Sequence, residues 1–144
     1  MTRINIISPS ELTDQHLIAE YREITMVPAA LSRTLRSKAG FNPNRINKTY
    51  TLNAGHVYFF YDKGLYLNKR YVELVEEMES RGFNVDHTRK FPKEVFPKEL
   101  YNDWMPTLDD QKIIRKRIEE KIAMKPNWYR KTKVKKSLAG ILPC

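Results

Sequence analysis

The sequence predicts an all-α fold in a single compact domain, with three main helices and long ordered loops. Three observations carry that expectation. Apolar residues recur at three- and four-residue steps in three separated stretches. The alternation of a half-buried strand is sustained nowhere, with one short candidate at "HVYFFY". A length of 144 residues suits one core and is short for two. The 41% hydrophobic and 11% aromatic content is that of a globular chain.

The first helix is announced by "SPSE": Ser8 can cap, Pro9 suits the first helical position and Glu11 can close a capping box. Thr13 or Asp14 offers a second start. Leu17, Ile18, Tyr21, Ile24, Val27, Leu31 and Leu35 then form an apolar stripe that ends at Gly40. Pro28 has no N–H to give Ile24, so a kink or division is expected there.

The second helix runs from about Leu65 to Arg81. Leu67, Tyr71, Leu74, Val75 and Met78 face inward, and Gly82 is the stop. The third starts at "TLDD", with Thr107 as cap and Asp109 and Asp110 in the first turn. Ile114, Ile118 and Ile122 point inward, while Arg117, Lys121 and Lys125 share one outward face before Pro126. The intervening segments, rich in Pro and Asn, read as loops with aromatic anchors. Residues 1–130 form the expected domain, and 131–144, containing most of "RKTKVKK", a mobile basic tail.

Charge narrows the function. Twenty-six Lys plus Arg against seventeen Asp plus Glu give +9, which points to a polyanion, most often nucleic acid. No apolar run approaches the ~18 residues of a membrane helix, and the start lacks a basic-then-apolar leader, so an intracellular protein is expected. The single Cys144 excludes an internal disulfide. His16, His56 and His87 are scattered, and no phosphate loop, HExxH or nucleophile elbow is present, so neither metal nor organic cofactor is expected.

Few groups remain for chemistry. Thr2 is small enough that removal of Met1 would expose its amine. An α-amine has a reference pKa of ~7.7–8.0, whereas a Lys at ~10.4 needs burial or cationic neighbours to be neutral near pH 7. Arg3 would favour the neutral amine further. Such an amine can attack C1′ of a sugar and form an imine. Glu23 is the second candidate, at i+3 from Glu20 and i+7 from His16, preceded by Arg22. It could stabilise positive charge on the sugar and then handle the C2′ proton. The plain alternatives are a common second residue and a solvated helix carboxylate.

The stretches "MTRIN", "SEL", "DQHL", "AEYRE", "AGHVYFFYDK", "RGFN", "EKIA" and "WY" together resemble the pyrimidine-dimer DNA glycosylase/AP lyase family of the T-even phages. The likeness spans Thr2 to Tyr129. It implies three helices with the N-terminal segment threaded between them, and a place in the cytoplasm of a bacterial host; nothing in the sequence suggests more than a monomer. It implies duplex DNA damaged by ultraviolet light as partner and no cofactor. By resemblance, Thr2 is the nucleophile and Glu23 the catalytic carboxylate. Arg3 and Arg22 lie beside the lesion, Gln15 and His16 contact the DNA backbone, and Arg117 and Lys121 grip phosphates. The family has a basic residue where this chain has Met26; Arg33 or Arg36 could replace that contact. Two alternatives stay open: the same chemistry on another damaged base, and a DNA-binding module without catalysis.

Overall fold

The computed structural model describes residues 3–134, and among them every regular element is helical. The α-helices are α1 (Asp14–Glu23), α2 (Met26–Arg36), α3 (His56–Phe59), α4 (Gly64–Ser80) and α5 (Leu108–Met124). The expected first helix is α1 plus α2, so the three-helix reading holds with the first helix divided.

The division is not at Pro28, as the sequence suggested, but at Ile24 and Thr25. A proline ring collides with the carbonyl four residues earlier, which here belongs to Ile24. The helix therefore ends there and restarts, leaving Pro28 as the third residue of α2, where no intrahelical partner is missed. "SPSE" is also not the helix start. Pro9–Glu11 makes a single 3-10 turn, and α1 begins after Thr13, whose Oγ1 accepts the His16 N–H at 3.1 Å. The strand candidate "HVYFFY" is instead the one-turn α3 and its continuation.

The other signals read as expected. Thr107 and Asp110 complete a capping box on α5 at 3.1 and 3.0 Å. Leu67, Tyr71, Leu74 and Met78 of α4 are buried, as are Ile114 and Ile118 of α5. The loops add an aromatic cluster in which Phe59, Phe60 and Tyr66 meet Trp104 edge-on, at centroid separations of 5.1–5.8 Å.

At Gly64 the α4 backbone touches this loop layer. A Cβ there would lie 2.7 Å from Phe96 and 2.8 Å from Tyr101 ring atoms. Gly64→Ala is expected to cost about 1–3 kcal/mol of stability by forcing these rings apart. A thermal melt checks it, and an unshifted midpoint would show that the rings yield freely.

Two buried arginines tie the start of the chain to α4. Arg70 makes a two-point pair with Glu20, Nε to Oε2 at 2.7 Å and Nη2 to Oε1 at 2.9 Å, and donates to the Ile7 carbonyl. Arg81, fully enclosed, reaches Asp14 at 2.9 Å, Glu77 at 2.8 Å and the carbonyls of Pro9 and Leu12. Residues 4–7 are buried, running between α1 and α4 as the resemblance implied. Ile6, at φ 41°, makes a tight reversal in which the Ile7 N–H turns back to the Asn5 carbonyl. A β-branched residue adopts that backbone only under strong constraint.

The start of the basic tail is hydrogen-bonded to the first turn of α1. The Thr132 N–H and hydroxyl both donate to the Asp14 carboxylate, and the Asp14 N–H donates to the Arg130 carbonyl at 2.7 Å. Residues 135–144 lie outside the described ones.

Candidate active site

Glu23 closes α1, half-buried, and its Oε1 accepts the Arg3 N–H at 3.3 Å. The separation of 20 residues in sequence thus disappears in the fold. One turn earlier, Glu20 Oε1 accepts from the Asn5 N–H at 3.2 Å and the Asn5 side chain at 2.9 Å. With Arg70 also bound, Glu20 has no capacity to spare and serves as an anchor for the N-terminal segment. Arg3, Asn5, His16, Ala19, Glu20 and Glu23 line a cleft of about 140 Å³. A larger cavity of about 340 Å³ between α4 and residues 85–93 has Val72, Val75, Val85 and Phe91 in its wall and lies away from this cluster.

Cationic side chains crowd the cleft beside its carboxylates. Burial first, then Arg117, holds the Arg3 guanidinium below its ordinary pKa, with Tyr50 and Glu23 opposing. Two guanidiniums in electrostatic contact around one carboxylate favour an incoming anion. Arg117 and Lys121 are half-buried on the flank of α5 that meets this segment, so their face is not plain solvent surface. Arg117 Nε and Asn5 Oδ1 are buried atoms without a hydrogen-bond partner among the described residues, and such unmet polarity concentrates at functional sites.

His16 forms the wall toward α5. Burial foremost, then Arg3 and Lys121, lowers its pKa, so the ring is neutral. Thr13 Oγ1 accepts the His16 amide and lies 2.7 Å from Nδ1, to which its hydroxyl can donate. With the hydroxyl as donor, the proton lies on Nε2. The ring face stacks on Tyr129 at 4.8 Å and 2°. Gln15 is occupied within the molecule: Nε2 donates to the Trp128 carbonyl at 2.7 Å and Oε1 accepts the Arg130 N–H at 3.1 Å. Arg22 is exposed at the end of α1. Thr2 lies outside the described residues.

Sequence reasoning missed several participants. Nothing local marks Arg70, Glu20 enters only through its spacing from Glu23, and His56 only as one of three scattered histidines. Arg89 was unremarked, yet it donates to the Arg22 carbonyl at 3.4 Å and Thr25 Oγ1 at 3.0 Å while its guanidinium covers Tyr21 at 4.3 Å. It brings a cation to the α1–α2 junction beside Met26, where Arg33 or Arg36 had been expected to serve.

A family model described as pyrimidine dimer DNA glycosylase matches residues 1–91, from the N-terminal segment through α4. The chain belongs to that family. The match contains Arg3, Gln15, His16, Arg22 and Glu23, and also the anchors Glu20, His56 and Arg70. This family member contributes Arg117, Lys121 and the stacked Tyr129 from beyond the matched region. Membership implies a glycosylase that acts in DNA repair and binds damaged DNA. Among its described residues no helix is long and apolar enough to cross a membrane.

Proposed function

We propose that this glycosylase is bifunctional. It releases the 5′ base of a cyclobutane pyrimidine dimer in duplex DNA through an imine with the Thr2 amine, then nicks the strand by β-elimination. The observation that carries the reading is the Arg3 N–H on Glu23 Oε1 at 3.3 Å. Consecutive Cα atoms are about 3.8 Å apart, so an amine on residue 2 is covalently confined to the neighbourhood of that carboxylate.

The neutral amine attacks C1′, and the glycosidic bond breaks with its electron pair leaving on the base. The attached amine passes one proton to the ring oxygen O4′ as the C1′–O4′ bond breaks, its lone pair forms the C=N bond and a protonated imine remains. The departed base anion takes its proton from water. Glu23, negatively charged, stabilises the cationic sugar and then takes the C2′ proton. Those electrons form the C2′–C3′ double bond as the 3′ phosphate leaves. Arg3 and Arg22 lie beside the lesion, and Arg117 and Lys121 hold phosphates. Gln15 fixes the 128–130 segment and His16 offers Nε2–H to the backbone. The chain works as a monomer, without metal or organic cofactor.

Borohydride trapping on a duplex with one thymine dimer, beside abasic and undamaged duplexes, tests this. With protein shown by mass to lack Met1, a covalent adduct on the dimer duplex mapping to Thr2 is expected. An N-terminal extension should suppress it. An adduct on the abasic duplex alone would keep the lyase and move the substrate to another damaged base. No adduct on either duplex would leave a DNA-binding module.

A further inference from the structure

Ile4 is held by both of its backbone groups. Its carbonyl accepts from the Tyr50 hydroxyl at 2.7 Å, and its N–H donates to His56 Nε2 at 2.9 Å. With Glu23 on the Arg3 amide and Glu20 on that of Asn5, three successive N–H groups each meet a different side chain. His56 differs in kind from the two carboxylates, since a neutral imidazole accepts through one nitrogen only. The Thr51 carbonyl, 2.6 Å from Nδ1, can only accept. Nδ1 therefore carries the proton and Nε2 the lone pair.

The ring is enclosed at 3% exposure, edge-on to Tyr50 and Phe60 at 5.4 Å each. Its placement depends on Gly55, the residue before α3, which has φ 93°. A Cβ there would also lie 2.7 Å from Asn47 Nδ2. The result is a built receptor for a single backbone N–H, 52 residues away in sequence.

We propose that His56 is a positioning residue for the glycosylase: its Nε2 fixes the register in which the start of the chain lies along Glu23, and so aims the amine of residue 2 at the sugar. The inference rests on the imine reading above. It adds an acid-sensitive element. The groups facing the ring are Arg3 from the N-terminal segment, Glu20 from α1 and Tyr50 from the loop before α3. Burial foremost disfavours the imidazolium and Arg3 adds to this, while the Thr51 carbonyl and Glu20 oppose; the balance lowers the pKa. The native state then binds fewer protons than the unfolded one. The stabilisation is complete above ~6.5 and is lost as pH falls from there through the depressed native value. A protonated ring sets Nε2–H against the Ile4 N–H, and the register is released.

The test compares His56→Leu, which removes the acceptor, with His56→Gln, whose amide oxygen accepts but does not titrate. Single-turnover borohydride trapping is followed on a saturating abasic duplex, with affinity and melting measured in parallel. His56→Leu is expected to trap about tenfold more slowly or worse at unchanged affinity, and His56→Gln to stay within about threefold of wild type. As pH falls below the ordinary imidazole value of ~6.5, the Gln variant should lose rate less steeply than wild type, which carries the titrating ring. A Leu variant trapping at the wild-type rate overturns the proposal, as does a folded Gln variant as slow as Leu. Should the Leu variant not fold, an acid limb of the Gln variant identical to that of wild type overturns it. If the wild-type protein gives no adduct, the imine reading fails instead. Hydrogen exchange then decides: unchanged protection of the Ile4 amide in a His56 variant sinks the register lock.

Discussion

Glu23→Gln is expected to abolish base release while leaving the affinity for a dimer-containing duplex within about threefold, because the two isosteres differ in charge far more than in shape. The carboxamide keeps an oxygen that can accept the Arg3 N–H now held at 3.3 Å, so the start of the chain stays in place. Two things are lost. The negative charge no longer balances the cationic sugar beside Arg3 and Arg117, and no base remains for the C2′ proton. Positioned acid–base catalysis contributes about 10²–10⁴-fold and a preorganised charge a comparable factor, so the product falls below detection. Single-turnover base release and equilibrium binding, measured on the same duplex, separate the effects. Full turnover in the variant would remove Glu23 from the mechanism, and a parallel loss of affinity would make it a binding group.

The largest effect on stability is expected at Glu20. It is 1% exposed and satisfies Arg70 from two oxygens and Asn5 twice. Glu20→Ala leaves a guanidinium buried without its counter-ion, a change that costs about 3–5 kcal/mol. The two orphaned Asn5 donors add to that cost. Against a typical total of about 5–15 kcal/mol, such a loss brings the fold near its limit. Urea denaturation should show a lower midpoint with an unchanged slope. Pairing the change with Arg70→Met should recover much of the loss, because a well-packed apolar replacement of a whole buried pair is often neutral. If the double variant is no better than Glu20→Ala alone, packing rather than the stranded charge sets the cost.

The local rules wrote much of the fold into the sequence. Thr107 with Asp110, the apolar rows of α4 and α5, and the joint face of His16, Glu20 and Glu23 are all set within one or two helical turns. The errors came where a local signal had two readings. Pro28 announces a break, but the steric clash acts four residues upstream, and that places Glu23 at a helix end. "HVYFFY" has the β-branched and aromatic residues of a strand, yet six residues are too few to decide, and burial among aromatic rings decides for a helical turn.

What could not be read was pairing at a distance. Glu20 meets Arg70 across 50 residues, Ile4 meets His56 across 52 and Asp14 meets Thr132 across 118. Nothing in the spacing of such residues separates a buried anchor from a surface charge. Gln15, which the resemblance assigns to the DNA backbone, also engages both ends of its amide with the chain's own 128–130 segment, a pairing that its spacing does not announce.

The order in which these anchors are synthesised has a consequence for the cell. The clasps that bury the head of the chain come from His56, 52 residues after Ile4, and from Arg70, 63 residues after Ile7. At about 5–20 residues per second, a ribosome takes roughly three to twelve seconds to add them. Through that interval the newborn amino end has no pocket to enter, and a processing enzyme at the tunnel exit can reach it. Once α4 is complete, the same residues are closed in. On the imine reading proposed above, removal of Met1 and closure of residues 4–7 compete in time, and faster translation or a scarce peptidase would lower the share of molecules that form the adduct.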